Sequence, residues 1–580
     1  MSTRLVRVVT VGLALGVLGA PRAHAQVKHA SPQLVALAEE FREFRSPVFA
    51  SRTWRPARAE KGVPDYAALV NAQKDGLPAF QARLKAIDPK GWPVHDQIDY
   101  LVLRSEMDDV AFEHYVLRET TKNPFFFIEQ AVRGVQREMG AVVPYSAERV
   151  EAIIAAFDRT EPILAQGPKN IVLAEAAADF GKVGLRHVED IRQKYANGVK
   201  LLSPHFPERD RARLAASAER AAAALETYGK WIEANLPQMK GQPHVGRENL
   251  EWLLKRIYFV PWSYDELLWM AEFEKNRFLM SIEVEKKKNQ GLKPLTMPAT
   301  EEWIEWFRLT YLQTKYWLKD LDIISFPAYV GESYLEAGGV WQEPFGEFGN
   351  RTGMMSFPTA PKPEPSKRLF VLPEDHWFTQ TYFERAMRID PMADYQHSEW
   401  PGHYFEGEVT RRNPCPVRAG HRDSGFSNWA HYWEEFFLSM GYPFLRGPRF
   451  REIAYNLLLL RAVRVPLDIY LSAGVHTLDE AVQYQIDRVP TMEPHVSRAE
   501  VEGYVRAPFS AASYIIGKKQ IEQILGDRVV QLGFKINWRE FHDTMLASGQ
   551  IPLALVRWEM TGYLDQVQKL WDVPDLAVKR

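Results

Sequence analysis

The sequence has almost no cysteine, since Cys415 is the only one among 580 residues. A single cysteine cannot form an intramolecular disulfide, so a buried core has to hold the fold together. Apolar residues make up 46% of the chain and include 17 Trp and 31 Phe. The composition therefore provides ample material for a large core.

The chain also lacks an excess of charge of either sign, because its formal net charge is only −2. Proteins that bind nucleic acid usually carry a clear basic excess. The composition therefore argues against a nucleic-acid partner.

Long apolar runs are missing beyond the N-terminus. There, Val8–Leu18 form an apolar run behind Arg4 and Arg7, and Ala23-His24-Ala25 reads as a cleavage site. This pattern predicts a signal peptide over residues 1–25 and a mature protein that is periplasmic or secreted. The run is shorter than the roughly 20 residues of a spanning helix, so we expect no stable membrane span after the signal is removed.

No linker rich in Gly and Ser divides the chain, so we expect residues 26–580 to form one large body, single or bilobed. Helical periodicity recurs along it, and capping boxes predict helix starts at Ser263, Thr477 and Ser497. The predicted fold class is mainly α. One irregular tract before residue 374 is expected to contain a short edge strand at Arg368–Leu372.

The stretch Tyr395–Gly407 reads Y-Q-H-S-E-W-P-G-H-Y-F-E-G and carries His397, Glu399, His403 and Glu406 within ten residues. Imidazole nitrogen and carboxylate oxygen are suitable zinc ligands, and a hydrolytic zinc site keeps an open position for water. The other interpretation is the start of a surface helix with solvated charges.

The spacing of the two histidines excludes one shared helical face, because they are six residues apart. Pro401 is tolerated at the first position of a helix, so a new helix is predicted from Pro401 to about Arg411. His403 and Glu406 are then neighbours, while His397 and Glu399 come from the preceding turn. In this arrangement Glu399 or Glu406 is the candidate general base.

A second source of ligands is the predicted helix that begins near Ser427. Its apolar residues follow helical spacing, and its other face carries His431, Glu434 and Glu435. His431 with Glu434 or Glu435 can supply a further metal ligand if this helix lies against the first. A polar outer face is the alternative interpretation.

Further along the chain, Tyr514 and His542 are candidate donors to an oxyanion. Read alone, each of them favours a structural interpretation. Arg506, in the same segment as Tyr514, is a candidate binding residue together with Glu406.

Several segments in this order resemble one family, the bacterial domain of unknown function 885, which is grouped with gluzincin-type zinc metallopeptidases. The matching segments are N-P-F-F-F at 123–127, P-W-S-Y-D-E-L at 261–267, the H-x-x-x-P-G-H frame at 397–403, W-A-H-Y-W-E at 429–434, S-Y-I-I-G at 513–517 and F-H-D-T-M-L-A-S-G-Q-I-P-L at 541–553. The resemblance implies a mostly helical single body with its site in a central cleft. It also implies Zn²⁺ as cofactor and a peptide as substrate.

The chain departs from the family pattern at three positions. Ser398 stands where the family has the glutamate that acts as base, and Glu399 comes one residue later. Ser427 stands where the family has a third ligand, and Ser472 replaces a histidine that the family tends to carry. These changes leave two explanations, a rebuilt site or a site that has lost hydrolysis.

The sequence therefore supports two main functions. The first is an exported metal-dependent hydrolase acting on peptides, with metal on His397, His403 and either His431 or Glu434. The second is a catalytically inactive relative that binds a peptide or partner protein in the same cleft. A carbohydrate-active protein is a third interpretation, suggested by abundant Trp and paired carboxylates.

Overall fold

The structure is a computed structural model that describes residues 31–45, 62–139, 145–337, 354–357, 366–371, 382, 386, 389–393, 395–421 and 427–577. Helices dominate this part of the chain, which confirms the prediction of a mainly α fold. The predicted signal peptide lies outside the described residues. None of the helices described is long and apolar enough to cross a bilayer.

The first half of the described chain is helical almost throughout. Its α-helices are α1 Pro32–Arg45, α2 Tyr66–Lys85, α3 Val94–Phe112, α4 Glu119–Lys122, α5 Phe125–Met139, α6 Ala147–Asp158, α7 Thr160–Leu164, α8 Gly167–Asn170, α9 Ala178–Val188, α10 Ile191–Leu202, α11 Glu208–Asn235, α12 Arg247–Arg256, α13 Tyr264–Lys288 and α14 Thr300–Asp320. A π-helical turn, Glu113–Leu117, extends α3, and 3₁₀ turns follow α10 at Ser203–His205 and α11 at Leu236–Gln238.

The second half contains the candidate site. After a 3₁₀ turn at Pro391–Ala393 come α15 Tyr395–Ser398, α16 His403–Thr410, α17 Pro416–Ala419, α18 Ser427–Ser439, α19 Phe450–Ala473, α20 Leu478–Arg488, α21 Pro494–Tyr504, α22 Ser513–Gln531, α23 Trp538–Ala547, α24 Leu553–Thr561 and α25 Asp565–Trp571.

Between the two halves lies a small sheet of three strands, β1 Glu332–Ala337, β2 Met354–Phe357 and β3 Ser366–Val371. The strand β3 lies in the middle, parallel to β1 and antiparallel to β2. The sequence correctly predicts a strand here, but its prediction of an edge strand is wrong because β3 has a neighbour on each side.

Two hydrophobic cores account for most of the buried side chains. The first contains Leu103, Phe278, Trp400 and Trp433, and the second contains Phe126, Ile153, Tyr195 and Leu225. Helix α19 contributes to both, because Leu459 lies in the first core while Leu467 and Leu471 lie in the second. This shared helix also carries one arginine of the candidate site, Arg461.

Local start signals explain several helix boundaries. The predicted capping boxes are present at Ser263 with Glu266 and at Thr477 with Glu480. The predicted start at Ser497 is wrong, because α21 already begins at Pro494 and Ser497 lies buried inside it. Its hydroxyl donates instead to Gln485 and to the carbonyl of Val482.

Candidate functional site

The turn between α15 and α16 determines how His397 and His403 meet. The Trp400–Pro401 peptide bond is cis, and Gly402 is the N-cap of α16, so the prediction that Pro401 begins the helix is wrong by two residues. A Cβ atom on Gly402 would lie 1.9 Å from the carbonyl oxygen of His397. Only glycine therefore fits this turn. The turn places the imidazole rings of His397 and His403 nearly perpendicular to each other, with their centroids 4.7 Å apart.

Aromatic packing holds this turn in place. Trp400 is 1% exposed and packs against Tyr311, Phe326 and Phe405, with ring centroids 5.0 to 5.5 Å apart. The indole N–H of Trp429, on α18, donates to the carbonyl oxygen of Pro401 at 2.8 Å. The turn is thus attached directly to the helix that carries the second pair of candidate residues.

Helix α18 presents His431 and Glu434 to this turn. His431 is fully buried and Glu434 is 6% exposed, so the interpretation of this face as a solvated outer surface is wrong. The two oxygens of the Glu434 carboxylate are shared between two imidazoles. The oxygen Oε1 lies 2.7 Å from Nδ1 of His397, and Oε2 lies 2.7 Å from Nδ1 of His431.

The charge of Glu434 is stabilised by its neighbours. Burial acts to raise the pKa of Glu434, but the charge of Arg461 and the interactions with His397 and His431 outweigh it and hold the pKa well below its usual value. Burial lowers the pKa of His431, and the attraction of Glu434 offsets only part of that effect. At neutral pH Glu434 is therefore ionised and His431 is neutral.

This protonation state fixes the tautomer of His431. An ionised carboxylate can only accept, so Nδ1–H of His431 donates to Glu434 and Nε2 carries a lone pair. The Nε2 atom is buried without a hydrogen-bond partner. The contact of His397 is different, since its Nδ1 is close to Oε1 of Glu434 but is not aligned as a hydrogen bond.

Two further helices complete the group. From α19, Arg461 approaches Oε1 of Glu434 at 3.5 Å, and from α22 the ring of Tyr514 stacks on His397 at 5.8 Å. The guanidinium of Arg461 lies over the Tyr514 ring, 4.7 Å from its centroid. We call these six residues the histidine cluster: His397, His403, His431, Glu434, Arg461 and Tyr514.

Three members of the histidine cluster are partly exposed to solvent. His403 and Tyr514 are half-buried, and the side chain of Arg461 is 15% exposed. Among the described residues Arg461 makes the ion contact with Glu434 and the contact with Tyr514, while its Nε has no hydrogen-bond partner. Arg464, by contrast, is bound to Glu500 by two of its nitrogens.

The donor groups do not form a ready zinc site in the described part of the chain. No group of three or more His, Cys, Asp or Glu side chains there is arranged to hold a metal ion. The carboxylate of Glu434 instead contacts two imidazoles, and the guanidinium of Arg461 compensates its charge. A zinc centre requires converging lone pairs, and here one candidate ligand is already the counter-ion of Arg461.

The two candidate bases lie on either side of the turn. Glu399 is 2% exposed, and its charge, together with that of Glu408, adds to the burial that raises the pKa of Tyr404 to about 12. Glu406 is also buried, and it lines a cavity of about 30 Å³ with apolar side chains of α22, α23 and α24. That volume is enough for roughly two water molecules, which excludes a peptide.

Glu435, the alternative partner of His431, belongs to a separate buried ion network. It binds Arg277 of α13 and Lys518 of α22, and Lys518 also contacts Glu274 at 3.1 Å. Burial acts to raise the pKa of Glu435, but Arg277 and Lys518 outweigh it and hold the pKa at about 2. This network attaches α18 to α13 and α22.

His542 is placed apart from the histidine cluster, on the other side of α18. Its Nε2 contacts the hydroxyl of Tyr432 at 3.0 Å and its Nδ1 contacts the carbonyl oxygen of Ile323 at 2.8 Å. It is fully buried beside Trp433 and Trp538. Both ring nitrogens are therefore engaged in joining α23 to its surroundings.

Arg506 is engaged elsewhere as well. It donates to Glu129 of α5 at 2.6 Å, lies over the ring of Phe125 and donates to the carbonyl oxygen of Glu502. These contacts connect the N-P-F-F-F segment to the loop before α22.

The same loop is fixed by a residue that sequence analysis did not single out. Asp468 of α19 is fully buried and accepts hydrogen bonds from the backbone N–H groups of Phe509, Ala511 and Ala512. Phe509 has a positive φ of 74°, which a bulky residue rarely adopts without such support. Asp468 thereby positions the start of α22 and, with it, Tyr514.

Arg461 is the other residue that the sequence analysis missed. It lies in the segment N-L-L-L-L-R-A-V-R of α19, where an arginine follows four leucines. Arginine is rarely buried unless it is paired, so its presence in an apolar run is a usable signal for a buried anion nearby.

Comparison with known proteins supports the resemblance over part of the chain. Residues 343–560 match the family described as "Bacterial protein of unknown function (DUF885)". This segment is less than half of the chain and includes the whole histidine cluster. No curated protein matches the chain.

Two solved structures share the fold. One, from Shewanella oneidensis, is described as "a putative lipoprotein of unknown function"; it is 14% identical, with a TM-score of 0.65, and covers 91% of this chain and 98% of its own. The other, described as "the putative lipoprotein" from Colwellia psychrerythraea, is also 14% identical, with a TM-score of 0.66, and covers 92% and 99%. The similarity therefore extends over nearly the whole length of each chain.

Proposed function

We propose that this protein binds a peptide or peptide-like ligand at the histidine cluster without metal-dependent hydrolysis. The observation that carries the proposal is the state of Glu434. Its two oxygens contact His397 and His431, and the positive charge beside it comes from Arg461. The cluster is thus a charge network completed by the chain itself.

The partly exposed side chains of the histidine cluster define the ligand. The side chain of Arg461 is 15% exposed and lies over the ring of half-buried Tyr514, and His403 is half-buried as well. Guanidinium, imidazole and phenol groups together suit a ligand with carbonyl or carboxylate oxygens, and a peptide with a free C-terminus offers both. The serines at positions 398 and 427 support the same conclusion, because a serine neither takes a proton from water nor binds zinc as a glutamate does.

The second candidate is an exported zinc-dependent peptidase. It is favoured by the 4.7 Å separation of the His397 and His403 rings and by the unpartnered Nε2 of His431. In this function Glu399 would act as the general base that accepts a proton from the attacking water, and the hydroxyl of Tyr514 would donate a hydrogen bond to the substrate carbonyl. Cleavage of a peptide library that depends on added zinc would establish this function.

Binding can be tested with a library of hexapeptides that have free C-termini and a matched library of C-terminal amides. Isothermal titration calorimetry should show that the free acids bind, and that Arg461→Gln weakens them about tenfold or more, the effect of losing one charge-assisted hydrogen bond. Arg412→Gln is the matched control, because Arg412 is 44% exposed and pairs with Glu408. Equal binding by Arg461→Gln and the wild type would contradict the proposal.

An exported location is part of the proposal. It is supported by the predicted cleavage after Ala25 and by the description of each structural neighbour as a "putative lipoprotein". N-terminal sequencing of the protein from a cell-envelope fraction should give Gln26 as the first residue. An intact Met1 in the cytoplasmic fraction would contradict it.

A further inference from the structure

Helix α13 exposes an apolar stripe along its solvent face. Trp269, Phe273, Met280 and Val284 are 68%, 58%, 62% and 44% exposed. Their spacing of four, seven and four residues keeps them on one face of the helix, and Trp269 stacks on Phe273 with centroids 5.9 Å apart. We call these four residues the α13 stripe.

The opposite face of the same helix is fully used inside the molecule. Leu267, Ala271, Phe278 and Ile282 are buried in the first core. The side chains of the α13 stripe therefore do not contribute to the packing of the hydrophobic core. The stripe extends over roughly 22 Å of the helix, from 1.5 Å of rise per residue.

The exposed apolar area is comparable to the largest patch on a typical monomer, which is often functional. Two aromatic and two aliphatic side chains at these exposures present roughly 400 Å², within the range at which patches mark interaction sites. Single exposed apolar residues need no explanation, but an aligned row of this kind does.

The charges of α13 are arranged in a self-complementary way. Its first turn carries Asp265 and Glu266, and its last turn carries Lys286, Lys287 and Lys288. An antiparallel copy of the helix brings acidic first turns beside basic last turns at both ends. The helix dipoles are then also antiparallel, which is the favourable orientation.

The stripe itself has the same symmetry. In an antiparallel pair centred between Asn276 and Arg277, Trp269 lies opposite Val284 and Phe273 lies opposite Met280. In the first contact the large ring of Trp269 packs on the small side chain of Val284. In the second, the thioether of Met280 packs on the ring of Phe273, which is a favourable pairing. A two-fold axis requires such self-complementarity, because each contact must occur twice.

We propose that the α13 stripe is the interface of a homodimer in which two α13 helices pack antiparallel. Two copies bury on the order of 800 Å² of apolar surface and add flanking contacts, the size of a weak and reversible interface. We expect a dissociation constant on the order of 10 µM. A membrane surface is the less suitable partner, because the acidic first turn of the helix, Asp265 and Glu266, has no counter-charge on anionic lipids, whereas an antiparallel copy supplies one.

Sedimentation velocity of the mature chain from 1 to about 200 µM, a range chosen to bracket that constant, tests the proposal. The wild type should shift from monomer to dimer, and Phe273→Glu and Met280→Glu should each remain monomeric with unchanged circular dichroism. Val530→Glu is the matched control, since Val530 is 64% exposed on α22, and it should dimerise like the wild type.

A charge exchange identifies the antiparallel arrangement. Asp265→Lys and Lys287→Asp should each weaken the dimer several-fold, and the double variant should recover most of the loss. A wild type that stays monomeric at every concentration would overturn the proposal. So would a dimer that persists in Phe273→Glu, or a monomer that sediments with phosphatidylglycerol vesicles.

Discussion

At the scale of single residues, Glu434 carries the charge that holds the histidine cluster together. Its carboxylate contacts two imidazoles and lies beside Arg461. Removing one partner of a buried ion pair leaves the others uncompensated, which is a larger loss than the net value of the pair. The stability of the cluster should therefore depend on whether this carboxylate is ionised.

We predict that Glu434→Gln destabilises the protein by about 3 kcal/mol at pH 7. The pKa of Glu434 is held well below its usual value in the fold, so its stabilising effect is present above the unfolded pKa of about 4.5 and is lost as the pH falls further. Urea unfolding of wild type and variant should show a difference that is constant above pH 5 and shrinks below pH 4.5. A pH-independent difference would contradict the assignment.

His542 also makes the fold less stable as the pH falls, but for a different reason. Burial lowers its pKa to about 4, against 6.5 for an unperturbed histidine. The unfolded chain therefore binds a proton at higher pH than the folded one, and stability is lost as the pH falls from 6.5 towards 4. The corresponding free energy is on the order of 3 kcal/mol.

We predict that His542→Phe removes this part of the acid sensitivity and costs about 2 to 4 kcal/mol at pH 7, because Tyr432 and the Ile323 carbonyl lose their partner. Peptide binding at the histidine cluster should not change, provided that folding is intact. Thermal unfolding at pH 7 and pH 5 measures the first effect, and calorimetry with the hexapeptide library measures the second. Loss of binding in a folded variant would show that His542 belongs to the site.

At the scale of elements, the turn around Gly402 brings the two histidines together. The carbonyl oxygen of His397 occupies the space that any side chain at position 402 needs. Gly407, one turn later in α16, has no such neighbour, since a Cβ there would meet only the end of the Arg411 side chain at 3.8 Å. The two glycines of this segment thus form a matched pair.

Gly402→Ala is expected to lower the free energy of unfolding by more than about 2 kcal/mol and to abolish peptide binding, because backbone atoms have to move. Gly407→Ala should be neutral or stabilising by about 0.5 to 1 kcal/mol, because alanine is the better helix former. Chemical unfolding and calorimetry of both variants check this. A Gly402→Ala variant that binds normally would show that the turn does not position the cluster.

The elements also show what the sequence can predict. Helix starts with a reciprocal cap, such as Ser263 with Glu266, are correct because the cap is a local interaction. Ser497 has the same local pattern, but α21 starts earlier at Pro494 and the serine is used inside the helix instead. A local rule fails where a proline and tertiary contacts determine the boundary.

The candidate site shows the same limit. The proximity of His397 and His403 follows from the Pro-Gly turn, which can be predicted from their spacing. The burial of His431 and Glu434 cannot, because amphipathic patterning assigns only the apolar face of a helix to the core. Both faces of α18 are buried here, and the ion that compensates Glu434 comes from Arg461, 27 positions away in the sequence.

At the scale of the whole molecule, helix α19 connects the two cores and supplies the cation of the site. Leu459 and Val463 lie in the first core, Leu467 and Leu471 lie in the second, and Arg461 faces the histidine cluster from the same helix. The mainly α fold that the sequence predicts provides this scaffold. Whether residues 26–580 act as one body stays a prediction.

The most direct test of a metal-free cluster is the zinc content of the mature protein, measured by elemental analysis after incubation with zinc and removal of unbound metal. We predict well below one zinc per chain, and no change in His397→Ala or His403→Ala, because Glu434 is already neutralised by the chain. A content of about one zinc per chain in the wild type that is lost in His403→Ala would contradict this account and establish the metal-dependent function instead.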